Sequence, residues 1–376
     1  MNIALLLTFG MSLSKWKDIG ILERELVPYQ KLSKHGIHTI IYSYGDPDLE
    51  SSIASFYGFK IFYLSPLSAS YNNLFFVFIE SFIRSIVSRH PKLHVIRTNQ
   101  LFGFWNGLLI SFRYSIPLMI RSGYELHSFW LKTYSSRFRH IFSFLISWVA
   151  YKCGTVLEFT SLHDIRYVVR YFKPSCDLLY RPNWIDTNLF RPLTIEKTYS
   201  SITVGRLTPQ KNHLALLKAI ATSSLPKPSK PLLFIGTGPC KDQLLEFAHE
   251  HCIPLVIKDT VSNNQIPEFI NSSMFYVHCS LFEGNPKSLL EALSCGVPVI
   301  AISNPRLLQV FGSSDCIFFE ALSSIPSFYS SSQLSSSKAQ LMSINSRNFI
   351  ESHFSLNARI SSLRCDIINL HKMPKF

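Results

Sequence analysis

No apolar run in this sequence approaches the roughly 20 residues that a membrane-spanning helix requires. The longest, residues 141–151, reaches only about half of that. The opening Met1-Asn-Ile-Ala-Leu-Leu-Leu is short and lacks the basic start of a signal peptide, so it is expected to form a first buried strand. Eight cysteines (Cys153, Cys176, Cys240, Cys252, Cys279, Cys295, Cys316 and Cys365) show no C-x-x-C spacing, which excludes the usual zinc and dithiol frameworks and fits a reduced, cytoplasmic protein. Acidic residues are the scarcer charges, with 24 Asp and Glu against 37 Lys and Arg. The resulting charge of +13 asks for an anionic partner. Zinc-finger spacing, a basic helix and an RRM-like aromatic motif are all missing, so nucleic acid is not that partner. Gly236-x-Gly238 lacks the third glycine of a dinucleotide fingerprint, since Lys241 stands there, and NAD dependence is disfavoured.

The 376 residues suffice for two domains with cores of their own. Hydrophobic residues make up 47% of the chain, and 30 phenylalanines carry much of that. Up to Asn188 there are 20 basic against 12 acidic residues, and beyond it 17 against 12, so the excess leans to the first half. An anionic membrane surface, touched peripherally on the cytoplasmic side, is the expected match.

One stretch organises the sequence: Phe282-Glu-Gly-Asn-Pro-Lys-Ser-Leu-Leu-Glu-Ala-Leu-Ser-Cys-Gly-Val-Pro-Val-Ile300. It reads as a turn at Gly284, a helix capped by Asn285 with Pro286 at its first position, a stop at Gly296 and Pro298, and a buried strand over 297–302. A strand over 275–280 leads in. A helix that starts at the carboxyl end of a strand points unpaired N–H groups at whatever lies there, and phosphate or sugar oxygens suit that place. Glu283 precedes the helix and Glu291 lies within it, about 8 Å beyond its start at 1.5 Å per residue. That spacing suits one carboxylate on a sugar and the other on a ribose.

These residues resemble the signature of retaining glycosyltransferase family 4, the group 1 glycosyl transferases of GT-B fold. The resemblance implies that Glu283 lies beside a donor sugar and Glu291 holds the nucleotide ribose. It extends to the Gly205-Arg206 and Lys211 of the preceding half-domain, whose implied role is to grip the donor diphosphate. It also covers Tyr180-Arg-Pro-Asn-Trp-Ile-Asp-Thr-Asn-Leu-Phe-Arg-Pro192, where Asn183, Asp186, Phe190 and Pro192 match an interdomain stretch. That segment is turn-rich and proline-bounded, and so reads independently as a boundary. After residue 302 the family's glycine pair is replaced by Ser303-Asn304-Pro305-Arg306, which leaves the sugar open.

Arg206 and Lys211 would leave the carboxyl end of a strand over 201–205. Two fixed cations and a helix N-terminus can stabilise a departing diphosphate without a metal. Gly236 turns the next strand, 232–235, into a helix over 240–249. Successive β–α units of this kind imply a parallel sheet covered on both faces.

In the first half, strands are expected over 2–9, 37–44, 93–97, 116–120 and 155–160, with a loop over 10–20 and a helix over 21–35 bent at Pro28. Asp46-Pro-Asp48 reads as a turn rather than a metal site. Residues 71–90 form an apolar helix with one polar stripe, Ser81, Arg84, Ser85 and Ser88. Where the family carries a histidine, Ser122 and Gly123 stand here. His127 is either its substitute or a structural histidine. Lys132, Arg137, Arg139 and His140 precede residues 141–151, read either as a surface helix followed by a core helix or as a surface that touches lipid headgroups.

The expectation is an α/β protein of two Rossmann-like doubly wound domains facing across a cleft (GT-B). Residues 1–182 would bind acceptor, 183–355 would bind donor, and a final helix over 356–376 would return to the first domain. The implied activity is retaining transfer from a nucleotide-diphosphate sugar to a glycan or lipid-linked acceptor, with no cofactor and no metal. The donor-binding residues would be Gly205, Arg206, Lys211, Gly236, Glu283, Gly284, Asn285, Pro286 and Glu291, with Glu283, Arg206 and Lys211 acting in catalysis. No side chain stands out as a general base. The alternatives are an epimerase or hydrolase of the same fold, or an inactive subunit that binds a membrane partner.

Overall fold

The computed structural model describes residues 1–67, 73–283, 285–330 and 337–373. Two compact units emerge, Met1–Pro182 with Arg359–Phe376, and Asn183–Ala358. The return to the first unit falls at Arg359, inside the last helix, rather than at residue 356.

The first unit runs β1 (Asn2–Leu6), α1 (Leu13–Asp18), α2 (Leu22–Ser33), β2 (His38–Ser43), α3 (Pro47–Phe56), β3 (Lys60–Tyr63), α4 (Leu74–Val87), β4 (Val95–Thr98), α5 (Phe104–Tyr114), β5 (Leu118–Ser122), α6 (Leu126–Thr133), α7 (Arg137–Cys153), β6 (Val156–Phe159), α8 (Leu162–Tyr171) and β7 (Asp177–Tyr180). Among the described residues these strands form one parallel sheet in the order β3-β2-β1-β4-β5-β6-β7. Its inner strands are buried on both faces and mostly apolar, as a sheet covered by helices on both sides demands. The order reverses between β1 and β4, and right-handed crossovers then place α4, α5 and α7 on one face, where α4 packs on α5 and α5 on α7.

Two local expectations change. The loop over 10–20 carries α1, capped by Ser12, whose hydroxyl accepts from the Lys15 N–H. The Asp46-Pro-Asp48 turn is the start of α3, with Asp46 accepting from the Asp48 N–H and Pro47 at the first helical position.

A third difference is larger. A polar stripe on a helix is ordinarily its solvent face, yet Ser81 and Ser85 of α4 are fully buried while Phe75, Phe76, Ile83 and Val87 are exposed. In α7, Ser143 and Ser147 are buried while Phe138, Ile141, Leu145 and Trp148 face outward, so residues 141–151 do not form a core helix. Burial costs three of these hydroxyls little, because they donate within their own helix: Ser85 Oγ to Ser81 O at 2.8 Å, Ser81 Oγ to Phe78 O at 3.0 Å and Ser143 Oγ to His140 O at 2.9 Å. Residues 71 and 72, expected in α4, lie outside the described residues.

The core of this unit also holds charge. Glu158 of β6 takes Arg97 of β4 at 2.9 Å, Arg121 of β5 at 3.2 Å and Arg359 at 2.6 Å. Arg97 also meets the Tyr29 hydroxyl. Burial alone would raise the Glu158 carboxyl, but Arg359, Arg97 and Arg121 pull it down to about 2. Together with the bidentate pair of Arg181 with Asp366, at 2.9 and 2.7 Å, this cluster ties the final helix to the sheet.

The second unit runs β8 (Tyr199–Val204), a 3₁₀ turn (Pro209–Lys211), α9 (His213–Thr222), β9 (Leu232–Ile235), α10 (Lys241–Glu250), β10 (Leu255–Lys258), α11 (Ile266–Asn271), β11 (Ser273–His278), α12 (Lys287–Ser294), β12 (Val299–Ile302), α13 (Pro305–Phe311), β13 (Ile317–Glu320), a 3₁₀ turn (Leu322–Ser324), α14 (Ser327–Ser330) and α15 (Ser337–His353). The last helix, α16 (Leu356–Lys372), then crosses to the first unit. The strands again form one parallel sheet among the described residues, ordered β10-β9-β8-β11-β12-β13. The serine-rich segment expected as a loop over 323–337 contains α14, and residues 331–336 lie outside the described residues.

Candidate functional site

In the second sheet the chain moves one way from β8 through β9 to β10, and the other way from β11 through β12 to β13. The reversal lies between β8 and β11, and ligands of open α/β sheets bind at the carboxyl ends of strands beside such a reversal. Two loops leave the sheet there, 205–212 after β8 and 279–286 after β11. The sequence-predicted donor residues that the structure describes lie on these two loops, on α12 and on the neighbouring turn at Gly236.

Glycine sets how close the backbones come. Gly236 has φ +145°, and a Cβ there would fall 2.1 Å from the Gly205 carbonyl oxygen. At Gly205, with φ +153°, a Cβ would crowd the Lys211 Nζ at 3.0 Å. Both positions lie in the region that L side chains avoid, which keeps the strand ends narrow and Lys211 folded back over them. The two loops are stitched together by the Leu281 N–H donating to Gln210 O at 2.9 Å and Gln210 Nε2 donating to Phe282 O at 2.8 Å.

Across this seam Lys211 Nζ forms an ion pair with Glu283, whose carboxylate also accepts from Ser280 Oγ at 3.1 Å. Burial would raise the Glu283 carboxyl, but the Lys211 ammonium outweighs it, with help from His278 and the hydrogen bonds, and the group stays below the ordinary carboxylate range. Two buried imidazoles lie nearby. His213 is lowered to about 3 and His278 to about 4, chiefly because burial disfavours their charged forms, so both are neutral near pH 7.

The other predicted residues are placed differently. Arg206 is exposed on the same loop as Lys211; its carbonyl accepts from the Thr208 N–H at 2.9 Å, and its guanidinium makes no hydrogen bond or ion pair among the described residues. Glu291 is buried inside α12, only 4% exposed, while Glu283 precedes the helix. Pro286, not Asn285, is the helix cap, because its ψ of 116° is still extended and the helix begins at Lys287. Asn285 is 6% exposed, and both polar atoms of its side-chain amide are buried without a hydrogen-bond partner among the described residues. Its carbonyl accepts from Asn183 Nδ2 at 2.6 Å, so the matched Asn183 secures the loop. Gly284 lies outside the described residues. His127 packs between α6 and α7, with Nδ1 3.0 Å from Ser143 Oγ and its ring against Phe144.

Sequence reasoning did not single out Ser280, Gln210, His213 or His278. Their only signal was position, immediately after a strand or beside Lys211. Chemically, the site offers a fixed carboxylate–ammonium pair, an exposed guanidinium on the same loop and an orphaned amide. Among the described residues no group of three or more His, Cys, Asp and Glu could hold a metal ion.

Residues 185–323 match the family "Glycosyl transferases group 1". The N-acetylgalactosamine-N,N'-diacetylbacillosaminyl-diphospho-undecaprenol 4-alpha-N-acetylgalactosaminyltransferase of Campylobacter jejuni is 29% identical over 180 residues, 46% of this chain and 48% of that protein. The UDP-Gal:alpha-D-GlcNAc-diphosphoundecaprenol alpha-1,3-galactosyltransferase of Escherichia coli is 30% identical over 171 residues, 43% of each chain. The matched stretch thus spans about half the length, or less, of the curated relatives. Among solved structures, sucrose-phosphate synthase from Thermosynechococcus elongatus has a TM-score of 0.77 at 14% identity, covering 98% of this chain and 99% of that one. Anabaena HepE in complex with UDP-glucose has a TM-score of 0.76, also at 14% identity, covering 98% and 99%. These likenesses identify the GT-B fold.

Proposed function

With residues 185–323 belonging to the group 1 glycosyl transferases, we propose that this chain moves a sugar from a nucleotide-diphosphate donor to a glycan or lipid-linked acceptor, with retention of configuration. The observation that carries the reading is the Lys211–Glu283 pair across the two loops at the strand reversal, with Arg206 on the same loop. A lysine ammonium has three N–H donors, so Lys211 can hold Glu283 and a phosphate oxygen together. As the glycosidic bond breaks, charge grows on the diphosphate, and Lys211 with Arg206 would stabilise it without a metal. Glu283, kept ionised, would face the donor sugar, and Glu291 would hold the ribose. The orphaned amide of Asn285 would gain partners from a polar ligand, since an unmet buried polar group costs about 1–3 kcal/mol. Attack would come from the face the diphosphate leaves.

The acceptor would be taken by the first unit, at the cytoplasmic face of an anionic membrane surface. The relatives named for diphospho-undecaprenol substrates support a lipid-linked acceptor, and HepE, solved with UDP-glucose, supports the donor class. In a screen of nucleotide sugars, the true donor is expected to raise the melting temperature of the purified chain, because a ligand of the folded state stabilises it. Arg206→Ala and Lys211→Ala are each expected to lower turnover by about 100-fold or more while the fold survives, and a chelator is expected to leave turnover intact. Wild-type rates in both variants, or strict dependence on Mg²⁺ or Mn²⁺, would refute the reading.

A further inference from the structure

The helices α4 and α7 turn their smallest side chains to the sheet and their largest apolar ones outward. In α4, Val77, Ser81 and Ser85 make the buried line at a four-residue repeat. Phe75, Ile79, Phe82 and Ile86 recur outward at three- and four-residue steps, with exposures of 66%, 41%, 37% and 44%. In α7, Phe138, Ile141, Leu145 and Trp148 do the same at 77%, 61%, 53% and 46%. Between them, α5 adds Phe112, 73% exposed. A soluble helix with this period rotates by about half a turn to bury such a stripe. Here small serines occupy the inside instead, Ser81, Ser85 and Ser143 of them bonded within their own helices, so the sequence holds the aromatic face out.

The charge on these helices is mostly positive. Among the described residues of α4 to α7 stand Arg84, Arg113, Lys132, Arg137, Arg139 and Lys152, against the single carboxylate Glu80. Scattered exposed apolar residues need no explanation, but two helices with outward apolar stripes, the exposed Phe112 between them and a basic excess do. Among the described residues no helix is long and apolar enough to cross a membrane.

We infer that the outward faces of α4, α5 and α7 insert side by side into the headgroup and upper acyl region of an anionic bilayer, with the basic residues at the phosphate level. This rests on the membrane-surface reading above and changes its physics from attraction alone to apolar insertion. Interfacial helices bind by buried apolar area added to attraction for anionic lipid. The apolar part does not depend on salt, whereas attraction fades as the Debye length shortens to about 3 Å at 1 M.

The test is co-sedimentation of the full chain with vesicles of phosphatidylcholine plus phosphatidylglycerol, and of phosphatidylcholine alone, at low and at molar salt. The native protein is expected to stay bound to the mixed vesicles at molar salt and to bind the neutral ones more weakly. The variant Phe75→Ser/Ile83→Ser/Phe138→Ser/Ile141→Ser should lose about 100-fold or more in partitioning to both. Its melting temperature and its stabilisation by nucleotide sugars should match the native protein. Lys132→Glu/Arg137→Glu/Arg139→Glu should lose preference for the anionic vesicles yet retain weak binding to the neutral ones. Complete release of the native protein by salt, with full binding by the serine variant, would overturn insertion and leave the electrostatic reading standing. No binding to any vesicle would overturn both. A native dimer by light scattering that the serine substitutions convert to monomer, with vesicle binding unchanged, would assign the face to a second copy and also overturn the inference.

Discussion

Glu158→Gln keeps the volume of the residue at the centre of the first unit and removes its charge. Three guanidinium groups then lose their shared counter-ion. Arg97 is 3% exposed and Arg359 8%, and all three contacts lie between 2.6 and 3.2 Å. Removing one partner of a buried ionic cluster costs about 3–5 kcal/mol, because the remaining charges stay desolvated. Arg359 belongs to the returning helix, so the loss should loosen α16 as well. A unit of this size shifts its melting midpoint by about 2–4 °C per kcal/mol, which makes the expected drop about 6–20 °C. Differential scanning calorimetry of the full chain should show that drop in one transition, with the second unit unmoved.

Acid supplies an independent readout. The folded Glu158 carboxyl is pulled to about 2, below its ordinary 4.5, so its contribution is complete above 4.5 and is lost as pH falls from there towards 2. The native first unit should therefore weaken over that window, and the Gln variant should lack this component. A midpoint within about 2 °C of the native value, at most about 1 kcal/mol for a unit of this size, would refute the proposed cost of stranding the three arginines.

The buried imidazoles act in a different window. His213 and His278 are held neutral with folded values of about 3 and 4 against an ordinary 6.5, so the unfolded chain takes up protons first. The second unit should lose stability as pH falls from 6.5 to about 3, and His213→Phe should flatten that slope in pH-dependent denaturant titrations. Gly236→Ala would set its Cβ 2.1 Å from the Gly205 oxygen at φ +145°, a strain of at least about 1–3 kcal/mol. The second unit's melting point and donor binding should both fall, as thermal shift with nucleotide sugars would report.

The alternation of apolar strands with amphipathic helices was enough to place both parallel sheets, because strands buried on two faces are mostly apolar and β–α order leaves little choice of connection. The strand Leu232–Ile235 and its glycine turn were legible in this way. Local chemistry also marked Glu283, Glu291 and Lys211. It could not set the edge of α12, where one backbone angle moved the cap from Asn285 to Pro286.

The rest needed three dimensions. Lys211 and Glu283 are 72 residues apart and meet only because β8 and β11 become neighbours where the sheet reverses. The same neighbourhood keeps His213 and His278 dry, a condition that no spacing records. On α4 and α7 the periodicity shows that a polar and an apolar face exist, but a period is blind to which one meets the sheet. Close packing against strands, with hydroxyls bonded inside the helix, put Ser81, Ser85 and Ser143 inward and left the phenylalanines outside.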